Sequence, residues 1–282
     1  MSIKEGYYVI RTYQAGNIGE KTKFFVPGKR PEGGLTRRQK NAIRKQEQNG
    51  YSAQKTLARL INENFQEDGV LLGLDYSDKG LERVLAYGRK HGLPVDSEDE
   101  AKKQNAIWEA AAHELDLALR RVKRILAKSG VELRAIYCTS DMDGDTGEIV
   151  RVHHHLIVND GVQEAFTKAW KEYGLGSVDY ERFWANQLDR TPVAEYIILQ
   201  VRRIPDAKKY RSTRNLVRPK HKDRVVYTDN ELQVPRGGKL IYRQEYQDRQ
   251  AKGDSRYNRP QYIRYILPGK LKKETDSGKT PG

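Results

Sequence analysis

The chain has 282 residues, room for one large domain or two smaller ones, and a net charge of +14 with a pI near 9.6. That balance selects an anionic partner, nucleic acid first. The sequence has no apolar run long enough to span a bilayer, no signal-peptide pattern and only one cysteine, Cys138. These features argue against a membrane protein, an intrachain disulfide or a multi-cysteine zinc site, and for a reducing, cytoplasmic setting.

In chain order, Tyr7–Ile10 and Thr22–Val26 are β-like runs around Ala15-Gly16-Asn17 and predict an N-terminal hairpin. Pro27–Gly34 reads as a basic linker and domain boundary, and the Lys/Arg-rich segment from Thr36 reads as a helix. Ser52 caps a predicted helix whose stripe is Ala53, Leu57, Leu60 and Ile61. Val70–Tyr76 is a continuous apolar run, the pattern of a central strand covered on both faces. A short helix over Lys79–Arg89, an acidic loop over Gly92–Glu100 and a long amphipathic helix over Gln104–Lys128 follow. Ala112, Leu115, Leu119, Val122 and Leu126 form the buried stripe of the long helix, and Arg120, Arg121, Lys123 and Arg124 its basic side.

Val131–Ser140 and Arg151–Val158 flank the turn-rich Asp143-Gly144-Asp145-Thr146-Gly147 and predict a second hairpin. Its second strand carries His153-His154-His155. Strand side chains alternate faces, so His153 and His155 project together while His154 points the other way. Three adjacent imidazoles among aliphatics are costly to bury unless paired or coordinated, so His153 and His155 read as half of a metal site. Beyond them lie a helix over Val162–Tyr173 stopping at Gly174, and a short strand over Ser177–Tyr180. A helix over Val193–Val201 then follows, with Thr191 as cap and Pro192 at its first position. Arg202–Arg224 is the most basic stretch. Arg202, Arg203, Lys208, Lys209, Tyr210, Arg211 and Arg214 suit phosphates and stacked bases of single-stranded DNA; five phosphate contacts would give a log–log salt slope of about −3.5. Val225–Tyr227, Leu240–Tyr242 and Tyr262–Ile266 are β-like, and the tail from Lys270 reads as disordered.

This order of elements resembles the HUH endonuclease superfamily, within it the rolling-circle replication initiators of bacterial plasmids and phages. The resemblance spans about Phe65–Pro219. It rests on Leu71–Ser77, on His153-His154-His155 with its aliphatic run, on Glu195-Tyr196-Ile197-Ile198-Leu199-Gln200, and on the later Tyr210-Arg211-Ser212-Thr213-Arg214-Asn215-Leu216. The resemblance implies Tyr196 as nucleophile, with Tyr210 as runner-up among 17 tyrosines, and a Mg²⁺ or Mn²⁺ ion on His153 and His155. Gln200, four residues after Tyr196, is the third-ligand candidate, with Asp141 and Glu148 as competitors. Leu199 stands where many relatives carry lysine, leaving that role to Lys208 or Lys209. Asp75 and Tyr76 are expected to support the strand and the DNA groove rather than the chemistry.

The fold expected is α+β: a central, mainly antiparallel HUH-like sheet flanked by helices over residues 35–224. An N-terminal hairpin and linker (1–34), a C-terminal β-rich extension (225–268) and a basic tail (269–282) surround it. The function implied is nicking and rejoining of single-stranded DNA at an origin through a 5′-phosphotyrosine, with a helicase as partner because no Walker motif is present. The alternatives are a relaxase- or transposase-type nickase of a mobile element, a metal-dependent hydrolase using water, and a non-enzymatic basic DNA-binding protein.

Overall fold

The computed structural model describes residues 6–27, 53–183, 186–201, 208–245 and 261–270. The linker after Pro27, the segment from Thr36, the Ser52 cap, Arg202, Arg203 and the tail beyond Lys270 lie outside them. The protein is α+β, built as two compact units, each around a five-stranded antiparallel sheet. Among the described residues no helix is long and apolar enough to cross a membrane.

The first unit takes both ends of the chain, Met1–Gln46 and Arg218–Gly282. Its strands are β1 (Gly6–Ala15), β2 (Ile18–Pro27), β8 (His221–Val226), β9 (Lys239–Glu245) and β10 (Gln261–Ile266), in the order β8-β1-β2-β10-β9. The β1–β2 hairpin turns at Gly16-Asn17, as the sequence predicts, with Gly16 at φ 55°. The N-terminal hairpin and the C-terminal β-rich extension, appendages whose placement the sequence leaves open, are one sheet. Pairing between strands two hundred residues apart leaves no mark in local periodicity. The small core holds Leu232, Ile263 and Tyr265, and the buried Lys23 ammonium meets Asp229 at 2.5 Å and the Asn230 carbonyl at 2.8 Å.

The second unit, Glu47–Val217, orders β6 (Gly176–Arg182), β3 (Gly69–Tyr76), β5 (Ile149–Asn159), β4 (Ala135–Met142) and β7 (Arg211–Ser212). The apolar run of β3 is central, as its composition requires. Helices α1 (residues 53–64) and α5 (Thr191–Leu199) pack on one face, where Leu57, Ile61, Ile136, Cys138, Ile157 and Ile197 are buried. Helices α2 (Asp78–Lys90) and α3 (Glu100–Ala127) contribute to the core on the other, with Leu72, Leu115, Val122, Leu156 and Trp170. α3 begins four residues before the predicted start because Asp99 caps it, accepting from the Lys102 amide at 3.1 Å. α5 is capped at Arg190, with Thr191 already helical. The predicted Val162–Tyr173 helix is a single turn, α4 (Gln163–Phe166), continued by a π-helical turn over Thr167–Lys171. The basic stretch Arg202–Arg224, expected as one loop, divides between the units: β7 edges one sheet and β8 the other.

Gly80, on the first turn of α2, lies against the chain entering β6. A Cβ there would sit 1.8 Å from the Leu175 carbonyl oxygen, which already accepts from the Ser77 amide at 2.9 Å. Backbone must move to admit it. Gly80→Ala is expected to destabilise this unit by about 3 kcal/mol in urea denaturation, helix propensity notwithstanding. An unchanged midpoint would show that the packing is looser than described.

Candidate metal and tyrosine site

Alternation along β5 divides the three histidines between two environments. His154 faces the α2–α3 side and is fully buried. Its Nε2 lies 2.9 Å from the Tyr76 hydroxyl, its Nδ1 lies 3.1 Å from the Thr139 hydroxyl, and its ring stands edge-on to Trp170. The Tyr76 hydroxyl donates to the Ala111 carbonyl at 3.4 Å. It therefore accepts from the Nε2–H of His154, whose Nδ1 accepts from Thr139. His154 is a satisfied core histidine, with a pKa well below the ordinary value through burial and its two neighbouring imidazoles.

His153 and His155 share the opposite face. The Nδ1–H of His153 donates to the Arg151 carbonyl at 2.9 Å, which leaves its Nε2 unprotonated and able to accept from Nε2 of His155, 3.0 Å away. A backbone carbonyl fixing the far nitrogen is the usual arrangement behind a metal-bound imidazole. Adjacent ligands of an octahedral ion at about 2.1 Å also lie about 3.0 Å apart. His155 is buried, and burial together with the His153 charge pulls its pKa down to about 4, despite an opposing hydrogen bond with the Gln200 side chain. It is neutral and able to donate a lone pair at neutral pH.

Gln200 caps the C-terminal end of α5, and its carbonyl accepts from the buried Ser140 hydroxyl. Ser140 stands directly opposite His153 across β4–β5. A side chain at Gly144 would come within 2.8 Å of the Gln200 Cγ, so the turn glycine leaves room for that residue. Tyr196 projects from α5 with 44% of its surface exposed and its ring edge-on to His155 at 5.4 Å. The buried Ala194, Ile197 and Ile198 hold the helix down. His153, His155, Gln200 and Tyr196 thus line one open cleft of about 390 Å³.

The same cleft is lined by Asp75 and by the turn acids Asp143 and Asp145. Asp75 is the register partner of His153 across β3–β5, and its carboxylate has no hydrogen-bond or ion-pair partner among the described residues. Asp143 accepts from the Asp145 and Thr146 amides, which hold its carboxyl below the usual range. Asp141 and Glu148 do not line the cleft: Asp141 is buried at a β-bulge between Ser140 and Met142, and Glu148 lies exposed beyond the turn. Asp75, expected to support its strand and the DNA groove, stands among the cleft residues because of cross-strand register. Trp170, on the π-helical turn, donates its indole N–H to the Asp75 carbonyl at 3.1 Å, a second contact with no sequence signal. Among the described residues no three His, Cys, Asp or Glu side chains converge as a metal group, so an ion here needs the Gln200 amide or solvent in its shell.

Of the basic residues assigned to DNA, Lys208, Lys209, Arg211 and Arg214 do not line the cleft, and Arg202 and Arg203 lie outside the described residues. Arg211 binds Asp116 at 2.8 Å and lies over the Tyr137 ring. Tyr210 packs half-buried on the α1–α5 side. Lys208 and Arg214 are exposed, and Lys209 is half-exposed. Leu199 lines the cleft, 62% exposed.

The low pKa of His155 links to stability. The unfolded chain takes up a proton near 6.5 and the folded chain only near 4, so the stabilisation is complete above pH 6.5 and lost as pH falls toward 4. That interval corresponds to about 3 kcal/mol, and buried His154 adds in the same sense. Thermal melts from pH 7 to pH 4 are expected to fall steeply, and less steeply for His155→Asn; equal slopes would contradict this linkage.

Comparison with protein families, with curated proteins and with solved structures finds no match to this chain.

Proposed function

We propose that the Glu47–Val217 unit is a DNA nickase of the HUH kind, acting by tyrosine trans-esterification as rolling-circle replication initiators do. The observation that carries the reading is the single cleft shared by the facing imidazoles of His153 and His155, the Gln200 side chain and the Tyr196 ring. His153, His155 and Gln200 would hold a Mg²⁺ or Mn²⁺ ion, whose contribution when bound is to polarise the scissile phosphate and offset its growing negative charge. The Tyr196 oxygen attacks phosphorus, the P–O3′ bond breaks, and a 5′-phosphotyrosine and a free 3′-hydroxyl result. The phenol, ordinarily protonated at neutral pH, passes its proton to a cleft carboxylate, and solvent protonates the departing 3′ oxygen. Asp75, opposite His153, is the carboxylate best positioned in sequence register for this. The phosphotyrosine conserves the bond energy, so the same residues run the reaction backwards to rejoin the strand. An origin or transfer site of a replicon is the substrate class, and strand separation falls to a partner helicase.

The free carboxylate of Asp75 also favours a second reading, a metal-dependent phosphodiesterase in which Asp75 deprotonates water. One experiment separates the two. End-labelled single strands from the protein's own replicon are incubated with Mn²⁺ or with EDTA and run on denaturing gels. A metal-dependent band of DNA covalently joined to protein is the expected result. Metal-dependent cleavage without an adduct would install the hydrolase, and salt-sensitive binding without cleavage would leave a binding protein.

A further inference from the structure

Charge is divided very unevenly between the two units. The unit that takes both chain ends, Met1–Gln46 with Arg218–Gly282, has 27 lysines and arginines against 11 acids over its whole sequence, while Glu47–Val217 has 25 against 27. The first is +16 and the second −2, so the whole excess of the chain lies outside the unit that carries the histidine cleft. A unit of net −2 gains no long-range attraction for a polyanion, whereas one of +16 concentrates a polyanion around itself.

The excess is local as well as global. Strand β8 is an edge strand exposed along most of its length. On one face its Asp223 pairs with Arg11 at 2.8 Å. On the other face Lys222 and Arg224 have no hydrogen-bond or ion-pair partner among the described residues. Across β1, Lys222 shares a row with Lys21 through Thr12. Lys21 is already engaged, its ammonium donating to the Gln233 carbonyl at 2.8 Å; burial and then the Arg224 charge make it give up its proton more readily than an ordinary lysine. Tyr227, directly after β8, is 82% exposed. Free cations on an edge strand that ends in an exposed aromatic are the elements of a single-strand binding surface, where cations track phosphates and rings stack on bases.

We propose that the five-stranded sheet unit is the polynucleotide-holding part of this chain: Lys222 and Arg224 bind phosphates of a single strand and Tyr227 stacks on its bases. On the function proposed above, affinity then resides in one unit and chemistry in the other, but the binding surface needs only the first. The inference stands independently of the nicking reaction.

The test uses the full chain in EDTA, so that no strand is cut, and fluorescence anisotropy with a labelled oligothymidine of about 30 nucleotides across a potassium chloride series. Lys222→Glu with Arg224→Glu is compared with Lys123→Glu plus Arg124→Glu, the same charge change on the exposed side of α3. The β8 pair is expected to weaken binding more than about tenfold and to flatten the log–log salt slope by about 1.4, two phosphates at about 0.7 each. The α3 pair is expected to change affinity less than about threefold, and Tyr227→Ala to cost about fivefold or more. Melting curves verify folding, and the milder Lys222→Gln with Arg224→Gln keeps the test open should the reversal variant fail to fold. Equal losses from the two pairs would overturn the assignment. So would a wild-type chain that ignores the oligonucleotide, or that binds only vesicles of phosphatidylserine and phosphatidylcholine.

Discussion

Tyr196→Phe is expected to lower formation of the covalent protein–DNA adduct by about 10³-fold or more while leaving the fold and metal binding as they are. The change removes one oxygen. Among the described residues the Tyr196 hydroxyl has no hydrogen-bond partner, the ring is 44% exposed, and its edge-on contact with His155 needs only the ring. Stability should therefore shift by less than about 0.5 kcal/mol. That contrast is what gives the variant its meaning, because a loss of adduct cannot then be ascribed to unfolding. Adduct yield on denaturing gels, Mn²⁺ calorimetry and a urea melt on the same preparation measure the three quantities. Full adduct formation by the phenylalanine variant would remove Tyr196 from the chemistry. Tyr210, the other tyrosine the sequence offers, would then have to leave its half-buried seat on the α1–α5 side to reach the cleft.

Alanine substitutions along the three histidines are expected to separate binding from folding. His153→Ala removes a half-exposed ring whose Nε2 faces His155, and should weaken Mn²⁺ binding by about 100-fold or more with little change in the melt. His155→Ala should do the same with some loss of stability, since that ring is buried. His154→Ala should behave in the opposite way. It leaves a hole in the core and strips the Tyr76 and Thr139 hydroxyls of a partner, at about 2–4 kcal/mol. Its effect on metal affinity should be secondary to that damage. A His154 variant that folds normally yet fails to bind Mn²⁺ would invert the strand parity on which the site depends.

That parity was legible without coordinates, and it is the part of the site the sequence states most directly. Two-residue alternation is a local property, so His153 and His155 could be set apart from His154 by counting. The helix carrying Tyr196 and the turn at Asp143–Gly147 were legible for the same reason. What escaped is what depends on partners distant in the chain. Asp75 enters the cleft because β3 pairs with β5 in one register among several that its apolar run would allow. Arg211 looked available for phosphate, but Asp116, 95 positions earlier, claims it. The π-helical turn that brings Trp170 to the Asp75 carbonyl has the same apolar pattern as an ordinary helix. Likewise the basic stretch was visible as composition, but its division between two sheets was not.

The discontinuous first unit sets an order of assembly during translation. Arg11 and Asp223, which pair in its sheet, are 212 positions apart. At about 5–20 residues per second the ribosome spends on the order of ten seconds or more between them, long enough for the intervening unit to fold by itself. The β1–β2 hairpin meanwhile waits with both edges unpaired, the condition that invites pairing with neighbouring nascent chains on a polysome. The histidine cleft is thus born first, and the cationic sheet closes only once β8 to β10 have left the exit tunnel.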